Sequence, residues 1–197
     1  MRPSKLSPYA LVVTAAVLGT QLTACAPVVV GGAAAAGVVA ADRRTAGTFV
    51  EDQSIELKAK KAIVDNIGAA NIDVSVTSFN RNILLTGQAI DEAAKAKAET
   101  VAKTIENVRT ITNELTVGEP STFTENNNDA YITSKVKARM LKENRFPANY
   151  VKVVTENGIV YLMGLVTKQE AEDAVDIARG TEGVQKVVKV FEYIENP

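Results

Sequence analysis

The chain has 197 residues and a net charge of −1 at pH 7, from 22 Lys and Arg against 23 Asp and Glu. This balance does not favour a nucleic-acid partner, for which a basic domain is expected. The sequence has no histidine, which excludes mechanisms that need a histidine base and removes the common zinc ligand. No motif predicts a metal, a nucleotide or another cofactor. We therefore predict a protein that is not an enzyme; chemistry that uses only carboxylates or lysine is the alternative.

The N-terminal residues follow the order of an export signal. Arg2 and Lys5 form a short positive region, and residues 11–19 form an apolar one. Next comes Leu22-Thr23-Ala24-Cys25, which resembles the lipobox of bacterial lipoproteins. An ordinary secretory signal with an incidental cysteine is the alternative, but the only cysteine of an exported chain has no disulfide partner. We predict a signal peptide over residues 1–24; its removal takes both cations and leaves a net charge of −3.

Cys25 is the predicted lipidation site. The resemblance implies a thioether-linked diacylglycerol and an acylated amine, with palmitate among the acyl groups, and several chains make such an anchor effectively permanent. Ala26 follows in place of Asp, which in Gram-negative lipoproteins implies transport to the outer membrane, with the protein facing the periplasm. Residues 25–46 are predicted to form a flexible tether. A second membrane anchor within the apolar run 26–41 is the alternative, although a spanning helix needs a longer run.

Two copies of one small domain follow, because residues 47–118 align with residues 124–195. We place the first domain at 47–118, a polar linker at 119–128 and the second domain at 129–197. In the first copy the hydrophobic spacing and turn residues predict these elements in order: a helix capped by Asp52 and ending near Ile67, two strands joined by a turn at Asn80-Arg81-Asn82, a helix over residues 91–105 and a strand over residues 108–117.

The second copy carries the same elements more clearly. Ile132, Val136 and Met140 recur at fourfold spacing and predict a helix over residues 130–144, with Asp129 as its cap. Apolar and polar residues alternate around Val151 and Val153, Asn157-Gly158 is typical of a hairpin turn, and residues 159–163 form a β-branched and apolar run, so two antiparallel strands are predicted. A capping box from Thr167 to Glu170 then predicts a second helix, and residues 184–194 are predicted to form the last strand. Gly87 and Gly164 are expected to allow a sharp turn after the second strand of each copy.

These motifs resemble those of the BON domain. The second copy carries them as Val151-Lys-Val153, as Asn157-Gly-Ile-Val-Tyr-Leu-Met-Gly164 and as Gly183-Val-Gln-Lys-Val187. The first copy is looser, since Arg81 and Asn107 stand where the second copy has glycine. The predicted fold is α+β, with two tandem domains of order αββαβ, each a three-stranded mixed sheet packed on two helices.

A basic stripe distinguishes the second copy from the first. The residues Tyr131, Lys135, Arg139 and Lys142 recur at helical spacing on the predicted helix 130–144 and therefore share one side. The aligned positions of the first copy are Ser54, Lys58, Ala62 and Asp65, so the fold does not require the stripe. A solvated helix face is one interpretation. The other is contact with an anionic membrane surface, to which each Lys or Arg contributes about 1 kcal/mol.

Family resemblance favours the second interpretation, since BON domains are regarded as phospholipid-binding modules. The expected partner is an anionic phospholipid membrane, such as one that contains phosphatidylglycerol or cardiolipin, and the implied roles are envelope integrity and localisation at the division site. The alternative is a structural adaptor that binds a division or outer-membrane assembly protein, with lipid serving only as the anchor. Arg43 and Arg44 are expected either to meet lipid phosphates or to be solubilising residues.

Overall fold

The structure is a computed structural model that describes residues 42–118 and 123–195. The predicted signal peptide, the lipidation site Cys25 and the tether up to residue 41 lie outside the described residues. Within the described ranges, no helix is both long enough and apolar enough to cross a membrane.

The first domain contains two helices and a mixed sheet. Its elements are α1 (Ala46–Ile67), β1 (Ile72–Phe79), β2 (Asn82–Ala89), α2 (Glu92–Ala102), β3 (Thr110–Asn113) and β4 (Thr116–Val117). Strand β1 pairs antiparallel with β2, and β3 and β4 both pair parallel with β2. The two short strands replace the single strand predicted over residues 108–117. They are separated where Leu115 turns its side chain into the core, with 1% of its surface exposed.

The second domain repeats this plan with an unbroken last strand. Its elements are α3 (Phe123–Glu143), a short 3₁₀ helix (Ala148–Tyr150), β5 (Val151–Glu156), β6 (Ile159–Val166), α4 (Lys168–Arg179) and β7 (Lys186–Tyr193). Strand β5 pairs antiparallel with β6, and β7 pairs parallel with β6. The predicted α+β fold with two αββαβ domains is confirmed. Helix α3 begins at Phe123, inside the stretch that the sequence predicted as a linker.

The predicted helix caps Asp52 and Asp129 have a different role. Helix α1 is capped by Thr45, whose side chain accepts from the Thr48 amide, and both aspartates lie inside their helices. The Asp52 carboxylate accepts from the turn amides of Asn80 and Arg81 at 2.8 and 2.7 Å. Asp129 does the same in the second domain. Each buried aspartate therefore fastens the first helix of its domain to the neighbouring β-hairpin and does not mark the start of that helix.

The two hairpin turns have the same backbone shape despite their different residues. Asn157 and Gly158 have φ values of 50° and 74°, and Asn80 and Arg81 have φ values of 51° and 66°. Positive φ at both central residues matches the twist of a two-residue hairpin, and it is unfavourable for arginine. The Asp52 carboxylate holds the Arg81 amide in this conformation, so the missing glycine does not change the turn.

The expectation for Gly87 and Gly164 was wrong. Both glycines lie inside strands, β2 and β6, where the chain continues for two more residues. A Cβ atom at Gly87 would clash with the backbone carbonyl oxygen of Asp73, and one at Gly164 would clash with that of Tyr150. These positions therefore need glycine because the neighbouring backbone comes close, and not because the chain turns there.

The two domains pack against each other through their sheets. In each domain the helices cover one face of the sheet and enclose a hydrophobic core. The other faces meet at a third cluster formed by Phe79, Leu84, Tyr161 and Met163, all at most 4% exposed. Desolvation in this cluster raises the pKa of Tyr161 to about 12, with the charges of Glu114 and Glu156 adding to the effect. Both faces of each sheet are therefore covered.

Arg43 and Arg44 connect the start of the described chain to both domains. Arg43 forms a two-pronged ion pair with Glu170 at 2.6 and 2.8 Å and lies over the Tyr150 ring, 3.8 Å from its centroid. Arg44 contacts the first domain, where it pairs with Asp52 at 2.9 Å. Both guanidinium groups are thus engaged within the protein.

Candidate membrane-contact site

Helix α3 presents one side to the core and the opposite side to solvent. Ile132, Val136 and Met140 are at most 1% exposed and pack against the sheet of the second domain. Because they are four residues apart in the sequence, they lie on one stripe of the helix, and the residues about half a turn away face outward. This arrangement decides which of the four predicted site residues are accessible.

Tyr131 and Lys142 are exposed to solvent. The side chain of Tyr131 is 63% exposed, and Lys142 lies at the solvent-facing end of the helix. Among residues 42–118 and 123–195, no carboxylate forms an ion pair with Lys142. The tyrosine ring and the free ammonium group are therefore both available to an external surface.

Lys135 is accessible but paired. Its ammonium group lies 2.8 Å from the Glu182 carboxylate and 5.0 Å from the centroid of the Tyr131 ring. Glu182 is 92% exposed, and Lys135 lowers its pKa through a hydrogen bond and its charge. Exposed ion pairs of this kind are weak, so an external phosphate can compete with Glu182 for the lysine.

Arg139 is held inside the domain. Its guanidinium donates to the carbonyl oxygen of Ile177 at 3.1 Å and to the Thr181 hydroxyl at 3.2 Å, and it pairs with Glu143 at 2.8 Å. Ile177 lies in the last turn of α4, where carbonyl groups lack partners within the helix. Arg139 thus joins the end of α4 to α3. It contributes positive charge to the surface, but its donors are largely occupied.

The comparison of the two repeated copies did not identify Lys137 and Leu141, which lie on the outward side of α3. The side chain of Leu141 is 70% exposed, and Lys137 is exposed one turn before it. No ion pair involves Lys137 within the described ranges. A signal for Leu141 was present, because a leucine directly after the buried Met140 falls outside the apolar stripe.

A groove lies beside this surface, between α1 and α3. It has a volume of about 520 Å³. Its walls include the aromatic and aliphatic side chains of Phe49, Phe79 and Leu141 and the cations Arg44, Lys137 and Lys152. Lys152 pairs with Glu56 across the two domains at 2.8 Å, and Arg44 pairs with Asp52. Only Lys137 among these three cations lacks such a partner within the part of the chain that the structure describes.

The described residues offer no metal site. Within residues 42–118 and 123–195, no group of three or more cysteine, aspartate or glutamate side chains is arranged to hold a metal ion. The α3 surface carries an amphipathic ring, an exposed leucine and several cations.

Comparisons with known proteins agree with this architecture. The sequence profile of the BON domain matches residues 51–119 and 128–195. The chain is 39% identical over 175 residues to the outer membrane lipoprotein DolP of Haemophilus influenzae, covering 88% of this chain and 91% of that protein.

Two further relatives are more distant. The 21 kDa hemolysin of Actinobacillus pleuropneumoniae is 35% identical over 78% of this chain and 80% of its own length. The osmotically inducible protein Y of Escherichia coli is 33% identical over 72% of each chain. The chain belongs to the BON-domain family and, within it, to the outer-membrane lipoproteins that carry two such domains.

Proposed function

We propose that the second BON domain binds anionic phospholipid through the outward side of α3, while Cys25 anchors the chain in the outer membrane. The observation that carries this proposal is the combination of exposed Tyr131 and Leu141 with Lys137 and Lys142, two lysines without an ion-pair partner in the described ranges. Tyrosine and leucine suit the boundary between headgroups and acyl chains, and lysines attract phosphate groups.

The contact is weak by itself. Each lysine near an anionic surface contributes about 1 kcal/mol before screening by salt, and burial of the exposed leucine adds about 2 kcal/mol. A sum of a few kcal/mol corresponds to roughly millimolar affinity for a free protein. The lipid anchor at Cys25 raises the effective concentration at the membrane, so that this affinity is sufficient to orient the domain and to favour anionic regions.

The predicted stripe contributes unequally to this surface. Tyr131 and Lys142 contact lipid directly, and Lys135 does so when it leaves Glu182. Arg139 supplies charge and holds α4 in place. In the cell, this contact supports envelope integrity and enriches the protein at the division site.

A vesicle experiment tests the lipid contact. The chain over residues 42–197, which lacks the anchor but retains Arg43 and Arg44, is sedimented with vesicles of phosphatidylcholine alone or mixed with phosphatidylglycerol or cardiolipin. We expect binding only to the anionic vesicles. The variant with Lys137→Glu and Lys142→Glu should bind at least about thirtyfold more weakly, because the loss of two attractive charges alone removes about 2 kcal/mol and the new charges are repulsive. Arg139 is left unchanged because its replacement would also disturb α4.

The matched control reverses Lys58 and Lys60 on α1, two exposed lysines without an ion-pair partner among the described residues. It changes the net charge by the same amount on the first domain and should retain binding. Equal loss in both variants would mean that net charge, and not the α3 surface, governs binding. Absence of binding to anionic vesicles would contradict the proposal directly.

Localisation in cells tests the biological role. With Cys25 intact, the Lys137→Glu and Lys142→Glu variant should remain in the membrane fraction but lose enrichment at the division site. Retained enrichment would show that another contact selects the site.

A further inference from the structure

The last strand of the second domain has an open edge. Strand β7 runs for eight residues, Lys186–Tyr193, and it pairs with β6 on one side only. No strand in residues 42–118 or 123–195 pairs with its other edge. An edge strand carries a row of backbone N–H and C=O groups that can pair with a further strand.

The first domain does not share this open edge. At the same position, its last strand is divided into β3 of four residues and β4 of two residues. The side-chain amide of Asn113 donates to the Lys95 carbonyl oxygen at 3.0 Å, and Leu115 turns inward. Interruptions of this kind protect an edge from pairing with another chain. A continuous edge on the last strand is therefore not required by the fold, and of the two last strands only β7 has one.

Two grooves flank the edge of β7. The first, between β7 and α4, has a volume of about 420 Å³ and is lined by residues that include Lys168, Val175, Arg179, Lys189 and Tyr193. The second, between β7 and the sheet of the first domain, has about 490 Å³ and is lined by residues that include Arg109, Thr110, Thr112 and Lys189. Since the side chains of a strand point alternately to opposite faces, a strand added to β7 would place its side chains in the two grooves in turn.

The charge of the groove beside α4 favours an acidic occupant. Lys168, Arg179 and Lys189 are all exposed, and none has an ion-pair partner within the described part of the chain. Two carboxylates also line the groove, Glu172 and Asp176, and the second is already paired with Arg145 at 2.8 Å.

The first domain again lacks this feature. The residues at the positions of Lys168, Arg179 and Lys189 are Glu92, Lys103 and Asn113. Of these, only Lys103 is a cation, and it pairs with Glu99 at 2.6 Å.

The lysines also argue against a second copy of this chain as the occupant. Lys186 and Lys189 are both exposed on β7. Two β7 edges paired antiparallel about their centre would place the two Lys189 side chains opposite each other, and like charges in that position destabilise a sheet.

We propose that the open edge of β7 is a docking site for an extended, acidic segment of another envelope protein. The segment adds a strand to the sheet of the second domain. Its backbone pairs with β7, its acidic side chains at alternate positions enter the groove of Lys168, Arg179 and Lys189, and its remaining side chains face Thr110 and Thr112. Backbone pairing supplies the attachment, and the grooves supply the selectivity. This surface is separate from the outward side of α3.

Peptide binding to the full-length, lipidated protein in neutral detergent micelles tests this site. The probe is a fluorescein-labelled peptide of about eight residues with alternating Glu and Thr, which matches the length and the two-residue period of a strand. Fluorescence anisotropy should show saturable binding that weakens as salt is raised, because the contact is partly ionic. The variant with Lys168→Glu, Arg179→Glu and Lys189→Glu should bind at least about tenfold more weakly.

The control variant carries Lys58→Glu, Lys60→Glu and Lys61→Glu, three exposed lysines of α1, and should bind the peptide normally. Circular dichroism of both variants verifies that each is folded.

Backbone methylation separates strand addition from simple charge attraction. Two forms of the same peptide carry N-methyl groups on odd or on even residues. Only alternate amides of an added strand donate to β7, so one form should lose binding and the other should keep it. Equal binding of both forms, equal binding by the triple variant, or no binding of the unmethylated peptide would overturn the proposal.

Discussion

Replacement of the two buried aspartates should destabilise the protein by different amounts. Asp52 accepts four hydrogen bonds, from the Ser78 hydroxyl, the Asn80 and Arg81 amides and the Arg44 guanidinium, at 2.7 to 2.9 Å. Among the described residues, Asp129 accepts two, from the Asn157 and Gly158 amides, at 2.6 and 2.8 Å. A hydrogen bond to a charged group contributes about 1.5 kcal/mol or more. Asp129→Ala should therefore lower the free energy of unfolding by about 3 kcal/mol.

The cost at Asp52 is larger because of Arg44. Breaking a buried ion pair costs about 3–5 kcal/mol when one charge is left alone. Arg44 keeps a second partner, Asp42, at 2.7 Å, so the loss lies at the lower end of this range. With the turn amides also left without their acceptor, Asp52→Ala should cost at least about 6 kcal/mol, or at least about 3 kcal/mol more than Asp129→Ala.

Urea unfolding followed by circular dichroism at neutral pH measures this difference. The midpoint should fall while the slope of free energy against urea stays unchanged, since both variants keep the same native surface. Glu51→Ala is the control, because its pair with Arg81 is partly exposed and should contribute about 1 kcal/mol or less. An equal cost for Asp129→Ala and Asp52→Ala, or a smaller cost for both than for the control, would contradict this prediction.

Three further predictions concern the packing of the fold. Met163→Ala removes an unexposed side chain from the cluster between the sheets; it should cost about 3 kcal/mol in urea unfolding, and an unchanged midpoint would contradict the interface. Gly87→Ala should cost more than about 3 kcal/mol, because the added Cβ would clash with the Asp73 carbonyl oxygen and the φ of 110° is strained for alanine. Gly118→Ala is the control: a Cβ there meets nothing within 4 Å, so the change should be nearly neutral in the same assay. Burial alone would raise the pKa of Glu170, but hydrogen bonds from Arg43 and Thr167 and the charge of Arg43 outweigh it and hold the pKa below its ordinary value of 4.5. The stabilisation from this pair is thus complete above pH 4.5 and is lost as the pH falls through the lower pKa of the folded state. Arg43→Gln should therefore reduce the loss of stability on acidification. Identical profiles of unfolding free energy against pH for the variant and the original protein would contradict this prediction.

The order of elements could be predicted because it depends on local patterns. The fourfold spacing of Ile132, Val136 and Met140, the alternation at Val151 and Val153 and the capping box at Thr167 each act over a few residues. The structure places a helix, a strand and a helix at these positions.

The roles of Asp52 and Asp129 could not be predicted in the same way. An aspartate near the start of an apolar helix is a common cap. The amides that these carboxylates bind lie 28 or 29 residues away for Asn80, Arg81, Asn157 and Gly158. Only the packing of the hairpin against the helix brings them together.

The sequence alone determined the two-copy organisation, the αββαβ order of each copy and the family, because these follow from periodicity and short motifs. The tertiary structure decided which cations are free. Arg43 pairs with Glu170, which lies 127 positions further along the chain, and Arg139 donates to Ile177, which lies 38 positions further along. Lys137 pairs with no carboxylate in the described ranges. Sequence spacing shows which side of a helix a charge occupies, whereas its partner depends on what the fold brings within a few ångströms of that side.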